Sequence, residues 1–185
     1  MKAIATTFAA ALLGLTVTLS ANASPSDHID AIEDAHAGST YNAHYAVIAD
    51  MAINFGPMQI EGTMWFTPSM GKVRMQFDGE HDVDIVYDGE TAWLSPADAA
   101  VPGPPARFHV LTWPYFVAVP YKLDDPGTHH ADAGAHPIRS NDEILPGTKI
   151  TFGEGVGDTP DDWYMAFADP DTGYLTALSY IVTYG

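Results

Sequence analysis

The chain has 185 residues, with 24 Asp and Glu against seven Lys and Arg, a formal net charge of −17 and no cysteine. So acidic a surface repels nucleic-acid phosphates and anionic membrane headgroups, and neither is an expected partner. Without cysteine there is no disulfide framework, no thiol nucleophile and no N-terminal thiol to carry an acyl anchor.

Met1-Lys2 opens an uncharged apolar run to about Leu19, followed by Ala21-Asn22-Ala23. One positive charge, a short apolar core and an Ala-x-Ala site predict a secretory signal peptide over residues 1–23, cleaved after Ala23. The run falls short of the roughly 20 apolar residues and anchoring flanks of a spanning helix. The expected location is therefore periplasmic or extracellular, with no stable membrane insertion after cleavage. All the acidic residues but only six of the basic ones follow Ala23, which leaves residues 24–185 at −18. That stretch is the length of one ordinary domain, and neither a repeat nor a linker divides it.

Ser24-Pro25-Ser26-Asp27 starts a short helix, with Ser26 or Asp27 as its cap, Ile29, Ile32 and His36 on one face, and Gly38 closing it. From Tyr45 the period changes to two. Tyr45 to Ile53 carries apolar residues at odd positions and Met58 to Phe66 at even ones, so both predict strands with one dry face, joined by a hairpin at Asn54-Phe55-Gly56-Pro57. Lys72–Phe77, Val83–Tyr87 and Trp93-Leu94 continue the meander through the turn Asp88-Gly89-Glu90. Lys149–Phe152, Trp163–Phe167 and Tyr174–Tyr184, with a turn at Asp169–Gly173, complete about eight strands. One or two helices accompany them. The fold class is mainly β (α+β): a curved antiparallel sheet, or half-barrel, with an N-terminal helix and a short apolar helix covering the concave face.

That apolar helix is the unusual segment. Val110 to Tyr121 contains no charge and two prolines. Thr112 can cap a helix over 113–119 whose first turn tolerates Pro114 and which Pro120 ends. Apolar on every side, it predicts burial on every side. It lies in an irregular region, roughly 96–146, that is longer than an ordinary loop and expected to serve as a plug or lid.

The string Pro104-Pro105-Ala106-Arg107-Phe108-His109-Val110-Leu111-Thr112-Trp113-Pro114-Tyr115-Phe116, with Lys122–Thr128 after it, resembles a family of secreted bacterial proteins of unknown function. Phe152–Tyr164, Asp169-Pro170 and Tyr180–Gly185 look like its later motifs, so the resemblance covers all of residues 24–185. Related sequences usually continue past the Tyr-Gly corresponding to Tyr184-Gly185, so this chain reads as C-terminally shortened. The resemblance implies a sheet similar to the half-barrel of the periplasmic lipoprotein carriers of outer-membrane sorting, which enclose acyl chains in an apolar cavity.

The candidate cavity and lid residues are Trp65, Phe66, Trp93, Trp113, Tyr115 and Phe116, whose competing role is plain core. Arg107, His109 and Asp124, together with Asp125, form a candidate polar rim that either braces the lid or meets a headgroup. His129, His130 and His136 beside Asp132 are the candidate metal ligands, but their spacing matches no familiar zinc motif and adjacent histidines on a strand face opposite ways. An exposed polar loop is their default reading. Gly153–Asp162 is Gly-rich yet too acidic for a phosphate cradle; it reads as a turn first and a calcium loop second. No Gly-x-Ser-x-Gly elbow and no His-Glu-x-x-His helix occurs.

The expected function is a non-catalytic, secreted or periplasmic binding protein holding an apolar small molecule, lipid or lipoprotein acyl chain, with no cofactor. The rivals are a metal-dependent hydrolase built on His129, His130 and His136, and an interaction domain completed by strand addition near Tyr174 to Gly185.

Overall fold

The computed structural model describes residues 24–79, 82–138, 143–159, 161–181 and 183. The expected leader and its cleavage site lie outside these residues, as do Val182, Tyr184 and Gly185 of the last motif. Among the described residues the fold is mainly β and antiparallel with a few covering helices, and no barrel closes. The strands divide into two sheets. β1 (Val47–Phe55), β2 (Met58–Phe66), β3 (Val73–Phe77), β4 (Val83–Tyr87) and β5 (Ala92–Ser95) form a five-stranded meander; β6 (Thr128–Ile138), β7 (Glu143–Phe152), β8 (Trp163–Ala168) and β9 (Leu175–Ile181) form a four-stranded one.

The first sheet follows its sequence pattern closely. A two-residue loop, Gly56-Pro57, places Phe55 opposite Met58. This register turns Met58, Ile60, Met64 and Phe66 to one face, where they join Val73, Met75, Phe77, Val83 and Ile85 in a core layer. Four methionines in this layer fill its irregular gaps, as an unbranched thioether does well. The expected first strand starts two residues late: Tyr45 stands outside it and is almost wholly exposed.

The second sheet departs further from expectation, because β6 takes up 11 residues of the stretch read as irregular. Its sequence, Thr-His-His-Ala-Asp-Ala-Gly-Ala-His-Pro-Ile, has β-branched residues at its two ends alone and no Phe, Tyr or Trp, the residue types that mark strands. A bulge between Asp132 and Gly134 also breaks its period, with Asp132 accepting the Gly134 N–H at 2.8 Å. Gly134 has φ +74° there, a conformation that glycine adopts without strain.

Three helices are among the described residues. In α1 (Pro25–Ala35) the cap is Ser24, one turn earlier than expected: its hydroxyl accepts the Asp27 N–H, and the Asp27 carboxylate accepts the Ser24 N–H at 2.8 Å. Pro25 then sits at the first helical position, where a missing N–H costs nothing, and Asp27 completes a capping box. The bonds from Ser24 hold the Asp27 carboxyl below the usual carboxylate range. Ile29 and Ile32 are fully buried among Leu123, Ile150 and Tyr164, so α1 covers the second sheet. Gly38 does not end α1; it begins α2 (Gly38–Asn42), after Ala37 turns the chain in the left-handed region.

Helix α3 (Ala106–Ala118) is longer than the expected 113–119 and runs into a 3-10 turn at Val119–Tyr121. Pro105 is its N-cap residue, and Thr112 lies in mid-helix rather than at the cap. Pro114 is an interior residue, tolerated because the packing on both sides of the helix outweighs one lost backbone bond. Nor is α3 buried all round, since Val117 is exposed.

Gly62 supplies a test of the register. A Cβ there would lie 1.9 Å from the Gln76 carbonyl oxygen on β3, a backbone atom that cannot turn away. Gly62→Ala should lower stability by about 3 kcal/mol or more, beyond ordinary overpacking. A urea midpoint that scarcely moves would contradict the close β2–β3 approach.

Candidate functional site

The stripe Phe108, Leu111, Thr112, Tyr115 and Phe116 recurs at helical spacing on α3 and lines a cleft of about 450 Å³. Ser69, Met70 and Tyr87 of the first sheet stand on one side of it; Phe152 and Tyr164 of the second sheet and the loop 156–159 stand on the other. The opposite face of α3 carries Val110, Pro114 and Ala118, all buried, with Val110 and Ala118 part of the first core layer. Tyr115 and Phe116 meanwhile pack into the second layer, where Tyr115 faces Tyr164 at 5.5 Å between ring centroids and Phe116 faces Tyr180 at 4.9 Å. The cleft is thus the gap between two core layers, bridged by one helix.

Of the six aromatic residues expected at the cavity, Tyr115 and Phe116 line the cleft. Phe66 lies in the first core layer, 2 % exposed. Trp113 lies behind the cleft, edge-on to Phe55 and Phe108, where its indole N–H donates to His109 Nδ1 at 2.8 Å. Trp65 and Trp93 are the corrections. Strand alternation turns both to the outer face, where Arg74 stacks over Trp65 at 5.0 Å and Trp93 is half-exposed.

The expected polar rim is redistributed in the same way. Arg107, in the first turn of α3, donates to both oxygens of Asp158, one at 2.8 Å, and also to the Glu90 carbonyl, with its guanidinium 5.5 Å from the centroid of the Tyr87 ring. It therefore ties the β4–β5 turn to the loop that closes the cleft. Paired with Arg107, the Asp158 carboxyl is held below its ordinary value of 3.8, and the guanidinium is pushed up in return. Lys122 is buried and pairs with Asp125 at 2.5 Å; both line the cleft.

His109 is not at the rim. Fully buried, it donates from Nε2 to the Pro102 and Pro104 carbonyls at 2.9 and 3.1 Å while Nδ1 accepts from Trp113. These partners select the neutral Nε2–H tautomer. Burial lowers the imidazole pKa, opposed by the two carbonyl bonds. Asp124 is exposed and lies in a separate polar hollow with Glu33 and His44.

The three candidate metal-ligating histidines do not converge. His130 bonds Ser26 and the Leu123 carbonyl, His136 bonds the Ala133 carbonyl, and His129 projects from the other face of β6. Among the described residues no group of three or more His, Asp or Glu side chains is placed to hold a metal ion. Two of the four carboxylates of the Gly-rich loop are likewise engaged, Asp158 by Arg107, and Asp162 by Thr159 and by the Thr183 backbone and hydroxyl. No described helix is long and apolar enough to cross a membrane.

Among the cleft residues that sequence reading passed over are Phe108, Leu111, Phe152, Tyr164 and Lys122, whereas Asp125 of the expected rim does line the cleft. Phe108 and Leu111 share the helical stripe of Tyr115, a signal hidden by the belief that α3 began at 113. Phe152 and Tyr164 belong to different strands, and no local pattern announces that they meet. No protein-family model matches the chain, and no curated protein matches it.

Two titrations follow. A His whose native pKa is depressed stabilises the fold fully above its unfolded value near 6.5 and less as the pH falls through the native value. Nitrogen-15 spectra should therefore show His109 as the Nε2–H tautomer with a midpoint below 6.5; the Nδ1–H form or a raised midpoint would contradict the bond pattern. Asp158, with a lowered carboxyl pKa, stabilises above its unfolded value of 3.8, and that contribution is lost as the pH falls below it. Asp158→Asn should remove part of the acid dependence of Tm below its unfolded value of 3.8, and an unchanged acid limb would show that the pair contributes nothing.

Proposed function

We propose that the protein is a secreted or periplasmic binding protein that holds an apolar ligand, a lipid or lipoprotein acyl chain, in the cleft beneath α3 without catalysis. The carrying observation is the cleft itself: about 450 Å³, walled by Phe108, Leu111, Phe116, Phe152 and Val156 between two core layers. Small-molecule sites are commonly roughly 300–1,000 Å³ and lined by apolar and aromatic side chains with a few placed polar groups. Each CH₂ group withdrawn from water there contributes about 0.8 kcal/mol. The resemblance of Pro104–Phe116 to a family with a carrier-like half-barrel supports the same reading, as does the apolar leader for the location. The hydrolase alternative has no such support, since His130 and His136 bond separate backbone carbonyls and His129 projects from the other face of β6.

Strand addition is the second reading. β9 is an edge strand with Tyr180 and Ile181 each 46 % exposed, an opening for another chain.

Native mass spectrometry of protein purified without detergent, followed by solvent extraction, addresses both readings. A co-purifying lipid is expected, with affinity reduced roughly tenfold or more in Phe116→Ala, since one buried aromatic side chain contributes about 1.5–3 kcal/mol. A bare monomer mass, with no uptake of added lipid, would sink the binding reading; a dimer broken by Ile181→Lys would favour strand addition.

A further inference from the structure

Among the described residues that line the cleft, one buried side-chain polar atom has no partner. The Tyr115 hydroxyl is shut off from solvent and makes no hydrogen bond, yet Tyr115 lines the cleft. The charges and phenols it senses most, Tyr164 and Asp125, line the cleft as well. A buried hydroxyl without a partner is destabilising, and native structures keep one where something else completes it. Burial keeps this phenol neutral and protonated well beyond the ordinary tyrosine range, so it is a hydrogen-bond donor at any physiological pH.

The charges around it restrict what it can meet. Lys122, the cation in the cleft lining, is committed to Asp125, Arg107 beside the cleft is committed to Asp158, and Asp162 adds a third carboxylate to the lining. A carboxylate or phosphate headgroup would face three acids and would have to break an ion pair to find a cation. An ester or amide carbonyl needs neither.

Resting on the binding reading above, we propose that the cleft selects uncharged amphiphiles, and that the Tyr115 hydroxyl donates to the ester or amide carbonyl oxygen of the ligand while its chain lies along Leu111 and Phe116. The acyl ester or amide, not the free acid, is the ligand class. The polar contact fixes where along the chain the molecule sits, and the apolar wall supplies the affinity.

Displacement of the neutral fluorophore N-phenyl-1-naphthylamine from the purified protein tests this with matched twelve-carbon probes: monolaurin, laurate, dodecylamine and dodecane. Monolaurin should bind several-fold more tightly than laurate, which the carboxylates repel, and than dodecylamine, whose ammonium offers the Tyr115 hydroxyl no acceptor. Tyr115→Phe should weaken monolaurin about 3- to 10-fold, the range of one hydrogen bond, leave dodecane unchanged and raise the Tm of the unliganded protein. The wild-type preference stands as evidence even if the variant folds poorly. Laurate or dodecylamine binding as well as monolaurin, or a Tyr115→Phe variant with full monolaurin affinity, overturns the proposal while leaving an apolar site. Failure of every probe, dodecane included, overturns the binding reading along with it.

Discussion

Helix α3 has to satisfy two apolar layers at once, and the rest of the molecule is arranged around that constraint. A helix on the surface of a sheet normally presents one apolar stripe and one polar face. This one sends Val110 and Ala118 into the layer on the first sheet, and Tyr115 and Phe116 into the layer on the second. Little of its surface is left for charge, and Val110 to Tyr121 contains none. The two layers meet α3 at different angles around its axis, and the cleft is the wedge they leave between them. The apolar run from Val110 to Tyr121 therefore reflects both core and lining, on opposite sides of one helix.

The polar anchors of α3 follow from the same geometry. His109 and Trp113, one turn apart, are bonded to each other, and His109 continues to the Pro102 and Pro104 carbonyls. The irregular segment before α3 is thereby pinned to it by a histidine that a sequence pattern assigns to a rim. Arg107 reaches both sheets' loops from the first turn, through Glu90 and Asp158. Histidine and arginine here brace the bridge.

The first sheet was legible in the sequence because short hairpins and strict alternation determine register together: Met58 to Phe66 alternates, and the Gly56-Pro57 loop sets which face is dry. β6 was not, since its apolar content is low and its bulge at Asp132 to Gly134 shifts the face midway. The facing of the aromatic residues was only half legible. Trp65 sits beside Phe66 in sequence, and alternation puts one outside and the other inside; a list of aromatics does not carry that distinction, whereas the period does. For the cleft, Tyr115 and Phe116 could be named from their unusual segment. Their neighbours Phe152 and Tyr164 could not, because contacts between strands of one sheet and a helix tens of residues away are set by packing alone.

The energetics of entry also differ from what the sequence suggests. Two prolines bounding an apolar helix invite the idea of a lid that swings at its ends. Lifting α3 would expose Phe108, Val110 and Val119 among others, at about 1.5–3 kcal/mol for each large side chain. Parting the loop 156–159 from α3 breaks instead the Arg107–Asp158 pair, whose side chains are about a third exposed. Such a pair contributes about 1 kcal/mol or less. The cheaper motion leaves the helix in place and moves the glycine-flanked loop, where Gly155 and Gly157 already occupy left-handed conformations that other residues rarely adopt. On that account α3 is the fixed wall of the cleft, and the loop 156–159, whose Asp158 is paired with Arg107, is the wall that parts at lower cost.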